Sequence, residues 1–552
     1  MKKQEPALRW LRGVAGKDKK KIGLLLLIQA VLGAAGVVFA LGLRGLIDAA
    51  SAGRSEGLRL CALGLGALVL GQIALRALQR LLRENCVSAL ENRYKRRLFG
   101  CLLRKDYASV TAVHSGEWMN RLCSDTAVVS RNMTELLPKL GGMAVRLLCA
   151  LTAVILLEPL FAAALLPAGL LLLALSYGFR RLLKRLHSRV QEKDGALRAF
   201  LQERLGSLLV LRSFGVEARS EELAAQRMDA HREARLQRSR LVTLCTLGFS
   251  IAMQGAYVAA AVCCAWGLLK GTMSTGTLVA ILQLVVQIQE PFANLSGLVP
   301  EYYAMLASAE RLMEAEAYPP DGAPPRPREE VRDFYRNDLQ AICLQDVSFR
   351  YASAGEESTP PVLEGLNLRI RKGEFVALTG RSGCGKSTLL RLLMSIYPLE
   401  KGRRLLETAS GQRELDASWR GLFAYVPQGN QLFSGTVREI LRFGGAGDCC
   451  SEEDLRRALR IACAEQFLPD LDRTLGEGGT GLSEGQRQRL AIARAIASGR
   501  PVLLLDEATA ALDGETERQL LENLRSMTDR TVLLVTHRPA AFAVCDRQIS
   551  LE

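Results

Sequence analysis

Six apolar stretches, near 22–43, 58–79, 136–157, 160–179, 241–269 and 278–299, dominate the first three hundred positions of this 552-residue chain. An α-helix rises about 1.5 Å per residue, so about twenty such residues match the roughly 30 Å hydrocarbon core of a bilayer. Unpaired backbone N–H and C=O groups are too costly there for anything but helices or closed barrels. The stretches therefore predict six membrane-spanning helices. Short connections (Glu158-Pro159 and Lys270 to Thr277) alternate with long ones, 80–135 and 180–240. The long ones carry Arg80, Arg83, Arg93, Lys95, Arg96 and Arg97, then Arg180, Arg181, Lys184 and Arg185, a basic excess that marks the cytoplasmic side and puts both termini there. Lacking strand alternation and rich in Leu, Ala, Glu, Arg and Gln, they read as helices that continue the spans tens of ångströms out of the bilayer. Met1 to Lys21 is basic, and its Pro6-Ala7-Leu8-Arg9-Trp10-Leu11 stretch reads as an interfacial helix rather than a cleavable signal.

A mean hydropathy of +0.11 together with 23% charged residues needs a soluble part besides the membrane part. The net charge of +15 sits largely beside the spans, so it argues for membrane topology, with lipid as a partner, and against a nucleic-acid partner. Fourteen Cys are scattered without paired zinc-ligand spacing. Pro319, Pro320, Pro324, Pro325 and Pro327 mark an extended linker over 319–338, dividing a membrane domain, 1–318, from a second domain, 339–552. In that second domain short apolar runs alternate with helical patterns, which predicts an α/β fold built on a largely parallel sheet.

Gly380-Arg381-Ser382-Gly383-Cys384-Gly385-Lys386-Ser387-Thr388 follows an expected strand, Glu374 to Leu378, and opens an expected helix, Thr388 to Ser395. A Gly-rich loop ending in Lys-Ser-Thr turns backbone N–H groups toward phosphates, puts an ammonium on the terminal ones and a hydroxyl on magnesium. Hydrolysis also needs the metal held and a water oriented. Val502 to Leu505 reads as a buried strand ending in Asp506, suited to magnesium, and Glu507, suited to polarising water. Ser483-Glu484-Gly485-Gln486 reads as the capped start of a helix over Arg487 to Ile496, a second place for phosphate.

In order and spacing these segments resemble the ATP-binding cassette superfamily, with Leu482-Ser483-Glu484-Gly485-Gln486 as its signature. The resemblance implies further roles: Tyr351 stacks on adenine, Gln428 contacts magnesium and the membrane domain, His537 senses the γ-phosphate, and Ala511-Leu512-Asp513 crosses between two sites. Ser115 to Arg121 with Asp125, and Glu203 to Glu217, resemble the cytoplasmic helices of ABC exporters, with docking segments near Tyr107 to Val113 and Leu205 to Arg212. The implied fold class is a six-helix all-α transmembrane domain with long cytoplasmic helical extensions, followed by an α/β P-loop ABC ATPase domain. The chain is thus similar to a type IV exporter half-transporter that uses ATP and Mg2+. Two departures stand out: Glu484 replaces the usual middle glycine of the signature, and the chain stops at Glu552 without the helical tail many relatives carry.

One membrane domain and one ATPase domain imply a dimer. Intact Glu507 and His537 favour a homodimer, and the altered signature keeps a heterodimer open. The expected function is ATP-driven export of an amphipathic substrate (peptide, lipid or drug-like) by alternating access in a bacterial cell membrane, with the N-terminus and ATPase domain cytoplasmic. An importer on the exporter fold and an ATP-gated channel or regulator are the alternatives. In the sixth stretch Gln283, Gln287, Glu290 and Asn294 share one helical face, and Thr243, Thr246, Ser250, Gln254 and Tyr257 form a stripe on the fifth. Polar groups in a span turn toward a bundle or wet cavity, so these, with Arg146 in the third stretch, are candidate cavity residues. Glu290 argues for cationic cargo, and Arg146 argues against a simple rule of charge.

Overall fold

The computed structural model describes residues 5–351, 360–429, 431–444 and 450–551, except the side chains of residues 5, 160–181, 183–184, 292–293, 295–296 and 299. The chain divides into two compact units, one formed by residues 1–99 and 118–315, the other by 100–117 and 316–552.

The first unit is helical. An amphipathic helix α1 (Glu5–Ala15) buries Ala7, Leu11 and Val14 and lays Trp10 against Tyr94 at 5.5 Å between ring centroids. Long helices follow: α2 (Lys19–Ser51), α3 (Ser55–Leu102), then α6 (Thr126–Leu157) after the short α4 (Tyr107–Thr111) and α5 (Ser115–Asn120). The unit closes with α7 (Pro159–Gly206), the short α8 (Leu208–Phe214), α9 (Glu217–Leu269) and α10 (Thr275–Ala317). Four helical stretches, Pro6–Ser51, Ser55–Leu102, Ser115–Leu157 and Glu217–Leu269, are long and apolar enough to cross a membrane. They contain the first, second, third and fifth expected spans. The other two lie inside α7 and α10; for 160–179 the side chains lie outside the described residues, as do those of Arg180, Arg181 and Lys184. Many apolar side chains on these helices face outward, among them Leu60, Leu63 and Leu70 at 75%, 75% and 69% exposure. Lipid is the solvent that accommodates such surfaces.

Asp125, 3% exposed, receives hydrogen bonds from the Arg311 guanidinium and from Ser308 (2.8 Å), which ties α10 to the turn before α6. Burying that carboxylate is tolerable because it is both charge-paired and hydrogen-bonded.

The second unit holds two sheets. A parallel sheet in the order β11-β3-β10-β9-β6 comprises β3 (Phe375–Gly380), β6 (Phe423–Val426), β9 (Val502–Asp506), β10 (Thr531–Val535) and β11 (Arg547–Leu551). Its strands are short apolar runs whose alternate side chains enter two different cores. Leu503, Leu505 and Leu534 pack under α14 (Glu452–Ile461), α15 (Glu484–Ala497) and α16 (Gly514–Arg525). Leu504, Leu533 and Val535 pack on the other face, with α12 (Lys386–Leu393).

The expectation of one largely parallel sheet is incomplete. A second, antiparallel sheet, order β2-β1-β4-β5, is made by β1 (Leu339–Phe349), β2 (Leu363–Arg371), β4 (Lys401–Thr408) and β5 (Gly411–Glu414). Exposed positions alternate with buried ones along β2, as on a strand with one wet face. β7 (Gly435–Thr436), just before α13 (Val437–Arg442), forms a minor antiparallel pair with β8 (Thr474–Leu475), which follows α14. The expected linker is also only partly extended: α11 (Arg328–Asn337) occupies its second half and inserts Val331, Phe334 and Tyr335 into the core beside Trp419. The prolines end at Pro327, and the apolar spacing of the next ten residues gives that helix a face to bury.

Residues 100–117 belong to this second unit. The Asp106 carboxylate caps α4 by accepting from Ser109 N at 2.9 Å, while Asp106 N donates to Pro319 O at 3.0 Å. Tyr107 meets Tyr397 edge-on, with ring centroids 5.7 Å apart.

Candidate functional site

β3 runs into the glycine loop with Gly380 at φ +144° and Gly385 at φ +96°, backbone that side-chain-bearing residues rarely adopt. A Cβ on Gly385 would also sit 2.9 Å from Leu363 Cδ2 and 3.2 Å from Val362 O. The loop can therefore wrap tightly only with glycine there, and it delivers the N-terminus of α12, with its free N–H groups and partial positive charge, to the mouth of the loop. Lys386 is 6% exposed and donates to Gly380 O and Arg381 O, both at 2.8 Å, so its ammonium is held at that mouth. Ser382, Gly383 and Cys384 complete the turn, and Cys384 Sγ lies 4.0 Å from Lys386 Nζ. The helix starts two residues before the expected Thr388 and ends at Leu393, because Ser395 turns to φ +54°.

Asp506 ends β9, which shares β10 as a neighbour with β3. It is 1% exposed and accepts from Ser387 Oγ and from Tyr425 Oη, both at 3.1 Å. Burial pushes its pKa up, against the pull of those two hydrogen bonds. Such a carboxylate is short of counter-charge. The adjoining Glu507 turns at φ +49°, with its N–H donating to Val535 O at 3.2 Å and its carboxylate accepting from Gln428 Nε2 at 2.9 Å. The structure thus brings Ser387, Asp506, Glu507 and Gln428 together from α12, the end of β9 and the loop after β6. His537 follows β10 and is exposed.

Tyr351 sits beside α12: its hydroxyl is 2.9 Å from Thr388 Oγ1, and its ring stands at 90° to Tyr397 with 5.4 Å between centroids. Ser483 caps α15 reciprocally, its Oγ accepting from Gln486 N at 3.3 Å while Gln486 Oε1 accepts from Ser483 N at 2.9 Å. Gly485 is closely approached, since a Cβ there would meet Ala511 O at 2.8 Å. Ser483 and Glu484 themselves are exposed.

Sequence reasoning missed Tyr425, which holds Asp506, and Tyr397, which joins Tyr107 to Tyr351. Single aromatics in strand and turn contexts carry no periodic signal. It also missed Gln488, 4% exposed, whose Oε1 accepts from Ala511 N at 3.0 Å.

In the first unit Glu290 forms an ion pair with Arg146, and Gln287 Nε2 donates to Gly36 O at 2.7 Å. Gln283, Asn294 and Gln254 are exposed and make no hydrogen bond among the described residues. Gln289, missed because it lies off the Glu290 stripe, donates to Met253 O at 2.9 Å, and Gln79 donates to Gln29 at 2.5 Å.

Residues 363–510 match the family model described as ABC transporter, and residues 22–292 match the ABC transporter transmembrane region. The chain is 31% identical over 494 residues to ATP-binding cassette sub-family B member 10, mitochondrial, of Mus musculus, covering 87% of this chain and 67% of that one. It is 31% identical over 379 residues to an ATP-dependent lipid A-core flippase of Syntrophus aciditrophicus, covering 68% and 61%. The match therefore spans somewhat under two thirds of the flippase's own length. A solved bacterial Atm1-family ABC exporter with ATP bound has a like fold, with a TM-score of 0.78 at 22% identity over 97% of this chain and 94% of that one.

Proposed function

Because the chain belongs to the ABC transporter family, with a transmembrane region and an ATPase domain in one polypeptide, we propose that it is a half-transporter that exports an amphipathic substrate (peptide, lipid or drug-like) by alternating access. The boundaries we assign are 1–318 for the membrane domain and 339–552 for the ATPase domain. Within the family reading, ATP hydrolysis is coupled to transport. The observation that carries the assignment of roles is the meeting of Ser387 with Asp506 and of Gln428 with Glu507 at the mouth of the glycine loop.

Lys386 and the loop N–H groups of residues 380–388 receive the phosphates, and Tyr351 offers its ring to the base. Glu507 orients and polarises the attacking water, Gln428 fixes Glu507, and His537 supplies a further polar contact to the γ-phosphate. Mg2+ fits the Ser387 hydroxyl, the Gln428 amide oxygen and the buried Asp506 carboxylate, a hard-oxygen set that leaves coordination positions for phosphate and water. When bound it neutralises phosphate charge.

The exposure of Ser483 on α15 favours a dimer in which this helix start closes over the glycine loop of a second copy. Exposed apolar side chains support the same reading. On α8, Leu209 and Phe214 are 83% and 76% exposed; on the second unit, the Phe433 and Phe443 rings meet tilted at 35° with centroids 4.4 Å apart and remain 54% and 61% exposed. We assign the α8 face of one copy to the Phe433–Phe443 patch of the other, in a homodimer rather than a heterodimer. The multi-pass chain is assigned to a bacterial cell membrane with its ATPase domain in the cytoplasm.

The test is ATP-dependent accumulation of fluorescent amphiphiles in inside-out proteoliposomes, with Glu507→Gln as control. Accumulation by wild type alone supports export. ATP-dependent efflux would make it an importer, and dissipation of a gradient without accumulation would make it a channel.

A further inference from the structure

A cavity of about 650 Å3 lies in the second unit, lined by α11, α14, the C-terminal end of α15 and the turn before β10. None of its lining residues belongs to the nucleotide site. Its walls include Ile461, Ile496 and Met527, while Arg328, Arg332, Arg457 and Arg530 reach it from three separate elements.

Two of these arginines have a structural task. Arg328 donates to Ser498 O and Arg530 to Ile496 O at 3.1 Å, so both satisfy carbonyls at the end of α15. Arg332 and Arg457 are exposed and make no hydrogen bond or ion pair among the described residues. They lie near enough to Arg530 that their charges add to burial, the larger cause, in holding its pKa below the ordinary guanidinium value.

Three carboxylates share the lining: Glu329, Asp454 and Asp529. They offset the four guanidinium groups only in part: hydrogen bonds from Ser451, and after them the Arg457 charge, hold the Asp454 pKa below its ordinary value. Asp454 is committed to the cap of α14, accepting from Ser451 N at 3.1 Å and Ser451 Oγ at 2.7 Å. Glu329 lies in the first turn of α11, where negative charge complements the helix dipole. Asp529 eases Arg530 but forms no ion pair among the described residues. Guanidinium groups gathered around a cavity whose lining is more polar than apolar, with donors unspent on Arg332 and Arg457, have the chemistry of an anion receptor: planar guanidinium forks suit phosphate oxygens, and the Ile461, Ile496 and Met527 side chains suit an apolar body.

We propose that this cavity binds a small phosphate monoester with an apolar body, its phosphate held by Arg332 and Arg457. The proposal stands independently of the transport reading. α15 itself runs from its cap at Ser483, the end proposed above to close over the glycine loop of a second copy, to the cavity wall at Ile496 and Ala497.

The full chain in detergent, saturated with magnesium and a non-hydrolysable ATP analogue to occupy the glycine loop, would be titrated with 1-naphthyl phosphate by fluorescence. Saturable binding is expected, weakened at least about tenfold, or about 1.4 kcal/mol, in Arg332→Ala/Arg457→Ala. Both side chains are exposed, so the variant should keep wild-type basal ATPase activity, which serves as its folding control. No saturation, a smaller loss in the double variant, or equal binding of uncharged 1-naphthol would each overturn the proposal.

Discussion

Replacing Glu507 by Gln isolates the chemistry of one atom from everything that positions it. The carboxylate accepts one hydrogen bond, from Gln428 Nε2 at 2.9 Å, and the backbone sits at φ +49° with its N–H on Val535 O. A glutamine carries an oxygen that can take the same bond, has the same length, and bears the left-handed backbone no worse than glutamate. Stability should therefore move by no more than about 0.5 kcal/mol. The group loses its capacity to take or share the proton of water. Positioned general bases contribute about 10²- to 10⁴-fold, which at about 1.36 kcal/mol per factor of ten is about 3–5 kcal/mol on the barrier. Steady-state phosphate release by the purified variant should fall by that factor, nucleotide binding should persist, and ATP should trap a closed dimer visible by crosslinking or size. Turnover above about a tenth of wild type, a barrier change under about 1.4 kcal/mol, would refute the role given to Glu507.

Lys386→Ala removes the ammonium held at the loop mouth, and nucleotide affinity by fluorescence titration should fall about tenfold or more, as befits a charge-assisted contact; unchanged affinity would mean that the loop is not the cradle. Glu484→Gly should leave ATPase activity equal or raise it, because an exposed carboxylate at the start of α15 repels an arriving phosphate; a several-fold loss would give Glu484 a positive role. Tyr397→Leu breaks edge-on ring contacts with Tyr107 and Tyr351, each of about 0.5–1.5 kcal/mol; we expect substrate stimulation of the ATPase to drop while basal turnover stays within about threefold, and an intact stimulation would remove Tyr397 from the coupling path. Glu290→Gln leaves the Arg146 guanidinium without its carboxylate, whereas Arg146→Gln/Glu290→Gln removes both charges; stimulation by anionic amphiphiles should rise in the single variant and return toward wild type in the double, and identical stimulation profiles would make the pair purely structural.

The second unit was legible wherever local chemistry dictates backbone. Glycines at 380 and 385 are required by φ angles that other residues rarely adopt, so the loop announces itself, and an apolar run ending in Asp506-Glu507 has few ways to fold beside it. The same reasoning placed α15, because Ser483 and Gln486 form a capping box three residues apart. It failed where the signal is a pairing between distant segments. The antiparallel sheet joins Ile342 to Ile370 and to Leu406, partners separated by stretches that include the whole glycine loop, and nothing local names them. Tyr397 was invisible for the same reason: its importance comes from standing between α4 and Tyr351, which are far apart in the chain.

The membrane half reverses that balance. Length and apolarity announce helices there, but the partner of a polar side chain depends on rotation about each helix axis, which hydropathy leaves open. The stripe through Gln283, Gln287, Glu290 and Asn294 is geometrically sound, yet its members diverge: Glu290 pairs with Arg146, Gln287 bonds to backbone at Gly36, and Gln283 and Asn294 are exposed. The pairing changes the argument about cargo. An unpaired carboxylate in a cavity would select cations, but a carboxylate beside a guanidinium presents no net charge, so a simple preference for cations no longer follows from Glu290. On the export reading proposed above, the pair would offer instead a dipole whose two ends can each be drawn away by a group of opposite sign, and would favour amphipathic cargo carrying a charged end of either kind over uncharged cargo.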